Sequence, residues 1–413
     1  MHRTLTLFLL LFVVSVQAQP IPFTVSGEVR HRSELDARDF RGTDDPILYH
    51  LLRTRLGVRA QPSPRLTAFV QIQDARFFGG ENPSLGRGVR DADADQLDFH
   101  QAFLDVDSLF GTGLGVRVGR QELAYGNQRL LSSLGWSNVG QSFDGAVVRL
   151  RRGRLAADAF AAQLVSPVNP LGGAGSQNIF GLYTAWALSD THALDAFVVY
   201  DNATQELTAG PDAGQDSLAR VTPGLYAHGT AGRFDYRAEA IGQFGQRTLT
   251  AGGQRLDVQA SLFSVNAGYV ALTEHAVRVG AAYTRLSGDD DPIDDTFGYF
   301  DMLFPLGHAF FGFMDYFPAR AAPYGVQNAV VSVTGNVTRT LRVGLDAHHF
   351  ATAAEAPMGR TLGQEIDLTG VYRPMPGFAV SAGASVFLPG EVVEATLGDE
   401  TTTWFYLTSS LIF

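Results

Sequence analysis

Residues 119–131, GRQELAYGNQRLL, bring Arg120, Glu122, Tyr125 and Arg129 into one short stretch, and GWSNVGQSFDG follows with Asp144. No lysine occurs anywhere, so all 31 basic residues are arginine. A guanidinium is a planar fork of donors that meets a carboxylate or phosphate through two hydrogen bonds. The chemistry these residue types suit is therefore reversible recognition of anions. Nucleophilic catalysis needs an activated nucleophile beside a base, and the chain has no G-x-S-x-G elbow, no H-E-x-x-H and no cysteine. No enzymatic activity is expected. His308 and Asp315, seven residues apart, are weak as a metal or catalytic pair and read better as structural. The acidic runs RDADADQ (90–96) and GDDDPIDD (288–295) have the carboxylate density of a calcium loop without its ordered spacing. They read as solvated external loops, with calcium left open; no metal or cofactor is assigned.

The other arginines fall on stripes. In FTVSGEVRHRSE (23–34), Glu28, Arg30, Arg32 and Glu34 share one face. In LLRTRLGVRAQ (51–61), Arg53, Arg55 and Arg59 lie opposite Leu52, Leu56 and Val58. Arg117 opposes Leu114, Val116 and Val118, and Arg149 and Arg151 oppose Ala146, Val148 and Leu150. Charges two residues apart on one face mean strand, because a helix would spread them around its surface. Of the 30 arginines after residue 18, 18 precede residue 155, in about a third of the remaining chain. One wall of the fold is thus expected to be basic although the net charge is −11.

The elements that would carry these stripes are short alternating strands. Residues 1–18 have a basic start, an apolar run from Leu5 to Val16 and a small-residue close, and read as a secretory signal peptide. No later segment is apolar for long enough to be a spanning helix. Eighteen strands are expected, near 23–37, 49–61, 65–78, 96–107, 112–123, 142–151, 154–165, 177–188, 192–201, 218–230, 233–246, 256–272, 274–287, 325–337, 340–352, 361–373, 377–388 and 402–413. Tight connections such as 62–64, 189–191, 338–339 and 374–376 alternate with long ones such as 79–95, 124–141, 202–217 and 288–324. That asymmetry suits short periplasmic turns and long extracellular loops. The expected fold is all-β, a transmembrane antiparallel barrel over residues 19–413. The last strand ends in Phe413, on one face with Phe405, Leu407 and Leu411. Tyr125, Trp186, Tyr200, Trp404 and Tyr406 are expected in interfacial girdles. By alternation Arg120 would face lipid, unless the lipid-facing band ends before it or a bulge near Gly119 re-aims it. The stretch around it is expected to fold inward as a hydrogen-bonded loop that narrows the pore, with Gly126 and Gly145 serving backbone geometry. The aromatic 300–317 segment is expected to dock as a lid or short helix.

HQAFLDV (100–106), VGRQELAYGNQRLL (118–131), GWSNVGQSFDGAVVR (135–149) and FDMLFPLGHAFFGFMDYF (300–317), in this order, resemble the alginate export family of outer-membrane porins. The resemblance implies a monomeric 18-stranded barrel in the bacterial outer membrane. It also implies a channel that passes alginate or a similar polyuronate; periplasmic secretion partners are left open. The residues expected to line such a pore and meet the anion are Arg30, Arg32, Arg53, Arg55, Arg59, Arg117, Arg120, Arg129 and Arg149. Acids such as Glu28, Glu34, Asp105, Glu122 and Asp144 would hold the arginines in place; Glu122 and Asp144 are counted with the site. Several weak sites in series would let a polyanion move on. The alternative on the same barrel is a general or small-carboxylate or oligosaccharide anion porin acting in uptake. Lipid and acidic solutes are the expected partners, and nucleic acid is not.

Overall fold

The computed structural model describes residues 21–78, 95–109, 111–165, 177–203, 215–249, 253–291, 293–318 and 321–413. The expected leader, the bulk of 79–95 and 202–217, and most of the 90–96 acidic run lie outside them. The chain forms β1 (Phe23–Ala37), β2 (Ile47–Ser63), β3 (Leu66–Phe78), β4 (Asp95–Leu109), β5 (Leu114–Gln121), β6 (Phe143–Arg152), β7 (Leu155–Val165), β8 (Gln177–Ala187) and β9 (His192–Ala203). It continues with β10 (Gln215–Ala231), β11 (Phe234–Leu249), β12 (Arg255–Leu272), β13 (Val277–Leu286) and β14 (Thr296–Phe297). Then come β15 (Val326–Asn336), β16 (Leu341–Ala356), β17 (Gly359–Met375), β18 (Phe378–Pro389), α1 (Glu391–Thr396) and β19 (Thr402–Ile412).

All 19 strands belong to one sheet, and two-residue β14 pairs parallel to β12 from within a loop, which leaves eighteen antiparallel staves. β1 pairs with β2 on one side and β19 on the other, so the sheet closes and no edge is left unpaired. The closing seam is tightened by the C-terminus. Gly27 and Phe413 exchange both backbone hydrogen bonds, at 2.8 and 3.0 Å. A side chain at Gly27 would come within 2.4 Å of the Phe413 ring, so only glycine leaves that ring its seat.

Alternation sorts the faces. Leu104, Val118, Phe263 and Leu407 are 51–59% exposed and point outward. In water such a band would be a continuous apolar patch; around a barrel it is the lipid-facing surface. The opposite positions, among them Arg30, Arg32, Glu34, Arg53 and Asp105, are buried on the inner face. The same parity corrects the girdle expectation. Phe405 faces out, so Trp404 and Tyr406 face in, where both are buried. Tyr125 packs inside against Phe160 and Tyr183, while Trp186 stays on the outside.

Two further differences concern ends and loops. β5 stops at Gln121, two residues before the expected end, which frees Glu122 and Leu123 for the following loop. β16 and β17 run on to a tight hairpin, with Ala356 opposite Gly359, so one connection on the long-loop side is short. The apolar core is not in the wall. It fills the barrel interior, where segments 122–142 and 299–318 fold in and bury Leu130, Leu131, Phe300, Phe311, Met314 and Phe317 against Phe350, Phe387 and Trp404. The 299–318 segment therefore enters the lumen, with a single helical turn at Gly307–Ala309.

Candidate functional site

Register sets the basic wall. Arg30 stands opposite Arg53 and Glu28 opposite Arg55 across β1 and β2, all on the inner face. Two guanidiniums side by side repel unless acceptors surround them. The chain supplies those acceptors from residues 135–139. Arg30 donates to the carbonyls of Gly135 and Ser137 at 2.7 Å each. Arg32 donates to the Trp136 carbonyl at 2.9 Å, pairs with Glu34 at 2.6 Å and lies 4.4 Å from the Trp136 ring centroid. Arg53 donates to the Ser137 carbonyl and to Glu28, both at 2.8 Å. Arg55 donates to Gln73 at 2.7 Å and stands 3.7 Å from Glu122, which His100 meets at 2.8 Å. Arg30, Arg32 and Arg53 are only 8, 4 and 4% exposed, so they face the loop and the wall acids and not solvent.

The same loop reaches the far wall. Arg129 bonds Glu239 on β11 and, at 3.0 Å, Ser264 on β12, with the Phe310 ring centroid 3.9 Å away. The second inward segment joins it by backbone: Phe304 N–H donates to the Leu130 carbonyl, Ser132 N–H to the Phe304 carbonyl, and Leu306 N–H to the Gln128 carbonyl, at 2.9–3.0 Å. Trp136 stacks on His308 at 3.8 Å and 8°, and His308 stacks on Phe313 at 4.5 Å. His308 also contacts Asp315 at 3.0 Å, in keeping with a structural role. The wall holds this second segment through one acid and several donors. Glu365 accepts the Met314 N–H at 2.9 Å, Asn328 donates to the Phe310 carbonyl at 2.9 Å, and Gln243 donates to the Asp301 carbonyl at 2.7 Å. Arg220, on β10, bonds both Asp201 and Asp301 at 2.8 Å.

Space remains in several cavities, the widest of them, about 590 Å³, at the short-turn end beside Asp190, His228, Arg237 and Arg278, and two smaller polar ones beside the loops. One, of about 240 Å³, lies between the 308–313 turn and strands β11–β17, with Arg237, Glu239, Asp346, His348 and Asp367 on its walls. The other, of about 140 Å³, is lined by Arg117, Gln121, Glu122, Tyr125, Arg149 and Asp158. Arg117 and Arg149 share Asp105, with Arg117 Nε at 2.8 Å. Burial first, and the Asp158 charge second, push the Tyr125 phenol well above its ordinary range, so it stays a donor to Asp158. An apolar pocket beside Tyr125 has only about 20 Å³, room for one or two waters.

The residues singled out above thus separate. Arg30, Arg32, Arg53, Arg55 and Glu122 meet at the loop, and Arg129 crosses to the far wall. Arg59 faces the lumen, 5.1 Å from the Phe69 ring centroid. Arg117 and Arg149 border open space. Arg120 and Asp144 do not join them. β5 pairs with β4 and β6 without a register shift at Gly119, so no bulge re-aims Arg120. It pairs with Asp144 at 2.8 Å and Asp98 at 3.3 Å on the outer face, beyond the apolar band. The acidic inner positions of β16 and β17 went unremarked in the sequence, although Asp346 and His348, and Glu365 and Asp367, show the same period of two as the arginines. Among the described residues no group of three or more histidines and acids is placed to hold a metal ion.

A family model described as alginate export matches residues 21–406. No curated protein sequence matches the chain. Solved structures with the same fold include OccK2 (OpdF) of Pseudomonas aeruginosa, at 13% identity and TM-score 0.62, covering 95% of this chain and 97% of that one. OccK8 (OprE) of the same organism matches at 11% identity and TM-score 0.61, over 95% and 98% of the two chains. OccAB4 of Acinetobacter baumannii matches at 11% identity and TM-score 0.57, over 94% and 98%.

Proposed function

The chain belongs to the alginate export family, a barrel of the bacterial outer membrane and of channel type, and from that premise we propose that it passes an acidic polysaccharide, alginate or a similar polyuronate. The observation that carries this reading is the solvent-reached pair Arg117 and Arg149 on the inner wall, 28 and 21% exposed at the side chain. Guanidiniums held on a shared acid attract a carboxylate yet do not grip it to the full, because Asp105 already occupies part of each fork. Arg30, Arg32, Arg53 and Arg55 act at one remove, by fixing the loop that narrows the lumen; Arg129, buried on Glu239, ties that loop to the far wall, and Arg59 adds positive charge along the lumen. The barrel works as a monomer, and periplasmic partners present the polymer to it.

A second reading, uptake of small carboxylates or oligosaccharides, is favoured by one observation. Beside the loops the space narrows to cavities of about 140 and 240 Å³, which suit single small solutes better than a threaded chain with the loops as they stand, while the wider space of about 590 Å³ lies at the short-turn end. Single-channel conductance of the refolded protein in a planar bilayer separates the two. Anion selectivity with block by added polymannuronate supports the polymer channel; an open pore indifferent to polyuronate supports the porin.

A further inference from the structure

Resting on the reading that the permeant is a saccharide, we propose that Tyr125 fills a pyranose-binding slot in the inner wall of β7 to β10. The loop's own ring holds the place of a sugar ring and vacates it when the loop withdraws. Four rings run side by side here. Tyr125, from the loop, lies 5.3 Å from Phe160 on β7 at 18° and 5.0 Å from Tyr183 on β8 at 21°. Tyr183 in turn stacks on Phe197 of β9 at 5.5 Å and 6°. Three of these rings belong to the wall. Phe160 leans over Gly181 and Phe197 over Gly224, where any side chain would come within 2.2 Å of the ring. The fourth is brought by the loop, and its hydroxyl is bonded to Asp158. Taking it away opens, between Phe160 and Tyr183, the space that one flat ring had filled.

A pyranose suits that space. The C–H groups of its apolar face rest on aromatic rings, whose faces carry partial negative charge. Its hydroxyls need acceptors, and the short-turn edge of the slot has them. Asp195, Tyr226 and Glu239 follow one another across β9, β10 and β11 in one row of the register. Asp195 is 4% exposed and accepts the Tyr183 hydroxyl through one oxygen. Its other oxygen, Oδ1, has no hydrogen-bond partner and stands 3.9 Å from His228 Nε2, too far for a bond. A buried acceptor left unmet costs free energy, and a sugar hydroxyl meets it. The tyrosine also fits its place loosely, because a void of about 20 Å³ remains among Tyr125, Tyr183, Phe197 and Tyr226. The way in is aromatic as well: His228 stacks on Tyr226 at 4.7 Å and borders the cavity of about 590 Å³ at the short-turn end. Ring faces and acceptors suit the hydroxylated body of a sugar and not its charge, which sets this slot apart from the arginine wall.

The test is current block of the full-length channel in a planar bilayer by a mannuronate tetramer and, separately, by a neutral mannose tetramer. Tyr125→Ala vacates the slot and is expected to lower the half-blocking concentration of both about tenfold, a direction that a folding defect does not produce. Added to it, Tyr183→Leu is expected to reverse the gain, and Tyr183→Phe, which keeps the ring, to preserve most of it. Tyr125→Ala that changes neither value, in a channel that the mannuronate tetramer blocks, overturns the slot and leaves the polyuronate reading standing. A gain confined to the mannuronate tetramer also overturns it, because the moved loop has then exposed arginines and not rings. Block by the mannose tetramer alone, reversed by Tyr183→Leu, keeps the slot and overturns the polyuronate reading. A channel that neither tetramer blocks, with or without Tyr125, overturns the saccharide reading and the slot with it.

Discussion

The two walls of the lumen hold the same kind of cargo by different chemistry. On β1 and β2 three guanidiniums grip backbone carbonyls of residues 135–137. On β17, three strands along the sheet from β1, the Glu365 carboxylate grips the backbone N–H of Met314. A loop brought inside a barrel carries donors and acceptors that water no longer satisfies. β1 and β2 meet acceptors of the first loop; for the second segment the wall supplies both kinds, Glu365 for a donor and Arg38, Asn328 and Gln243 for acceptors. The charged lining, which from its composition looks like a means of selecting solutes, therefore does much of its work on the protein's own backbone. Where the two loops meet, neutral contacts take over: the Phe304 backbone pairing and the Trp136–His308 stack.

The largest change is expected from emptying the basic wall. Arg30→Ala with Arg53→Ala removes the bonds to Gly135 and Ser137 and leaves Glu28 with only a distant Arg55, at 4.0 Å. Hydrogen bonds from charged groups are worth about 1.5–3 kcal/mol each, so loop docking loses several kcal/mol and the loop comes away. Single-channel conductance should rise several-fold, and protease should gain access near residues 133–140. Unchanged conductance would mean that the apolar contacts alone keep the loop in place. On β17, Glu365→Ala strips the Met314 N–H of its acceptor, at a cost of about 1–3 kcal/mol. Because Asn328, Gln243 and Arg220 also hold that segment, the conductance gain should be smaller, and Glu365→Gln, which keeps an acceptor oxygen, should recover most of it. If Glu365→Ala opens the channel more than the double arginine variant, the order of the two walls is reversed.

What was legible in the sequence follows from the range of the interactions. The strands were legible because a period of two is imposed by the wall itself: β1, β7, β8 and β12 fall within a residue or two of where the alternation puts them. The inward facing of Arg30, Arg32, Arg53 and Arg117 was legible for the same reason. Their partners were not, because Arg30 and Gly135 are 105 residues apart and nothing local announces the contact. For Arg120 the alternation leaves two readings, an apolar band that ends before it or a bulge near Gly119, and the regular ladder at Gly119 removes the bulge. Trp404 was assigned to a girdle for its residue type, although its neighbour Phe405 on the lipid face already placed it inside. Glu365 and Asp367 show the same alternation, two residues apart on the inner face of β17.

The junction between the loops gives a smaller and sharper effect. If they move as one body, Trp136→Leu and His308→Leu should be coupled in a double-mutant cycle on thermal stability by about 0.5–1.5 kcal/mol, as expected of a ring stack. Additive losses would mean that each wall holds its loop independently.

The smallest effect is expected at Arg120, the most conspicuous residue of the opening motif. Its pairing with Asp144 is on the outer face, with side chains 37 and 55% exposed. Exposed ion pairs contribute about 0–1 kcal/mol, and the barrel wall separates this one from the permeation path. Arg120→Gln should therefore leave conductance, ion selectivity and uronate block as they are, with at most a slight loss of heat stability. Arg117→Gln, three residues earlier on the inner face, should change the block. Two arginines on one strand, odd and even, thus make a paired control: same residue type, same strand, opposite sides of the wall. A change of selectivity in Arg120→Gln equal to that in Arg117→Gln would show that the motif acts on the permeating anion from outside the lumen, and that facing alone does not decide which arginines the solute meets.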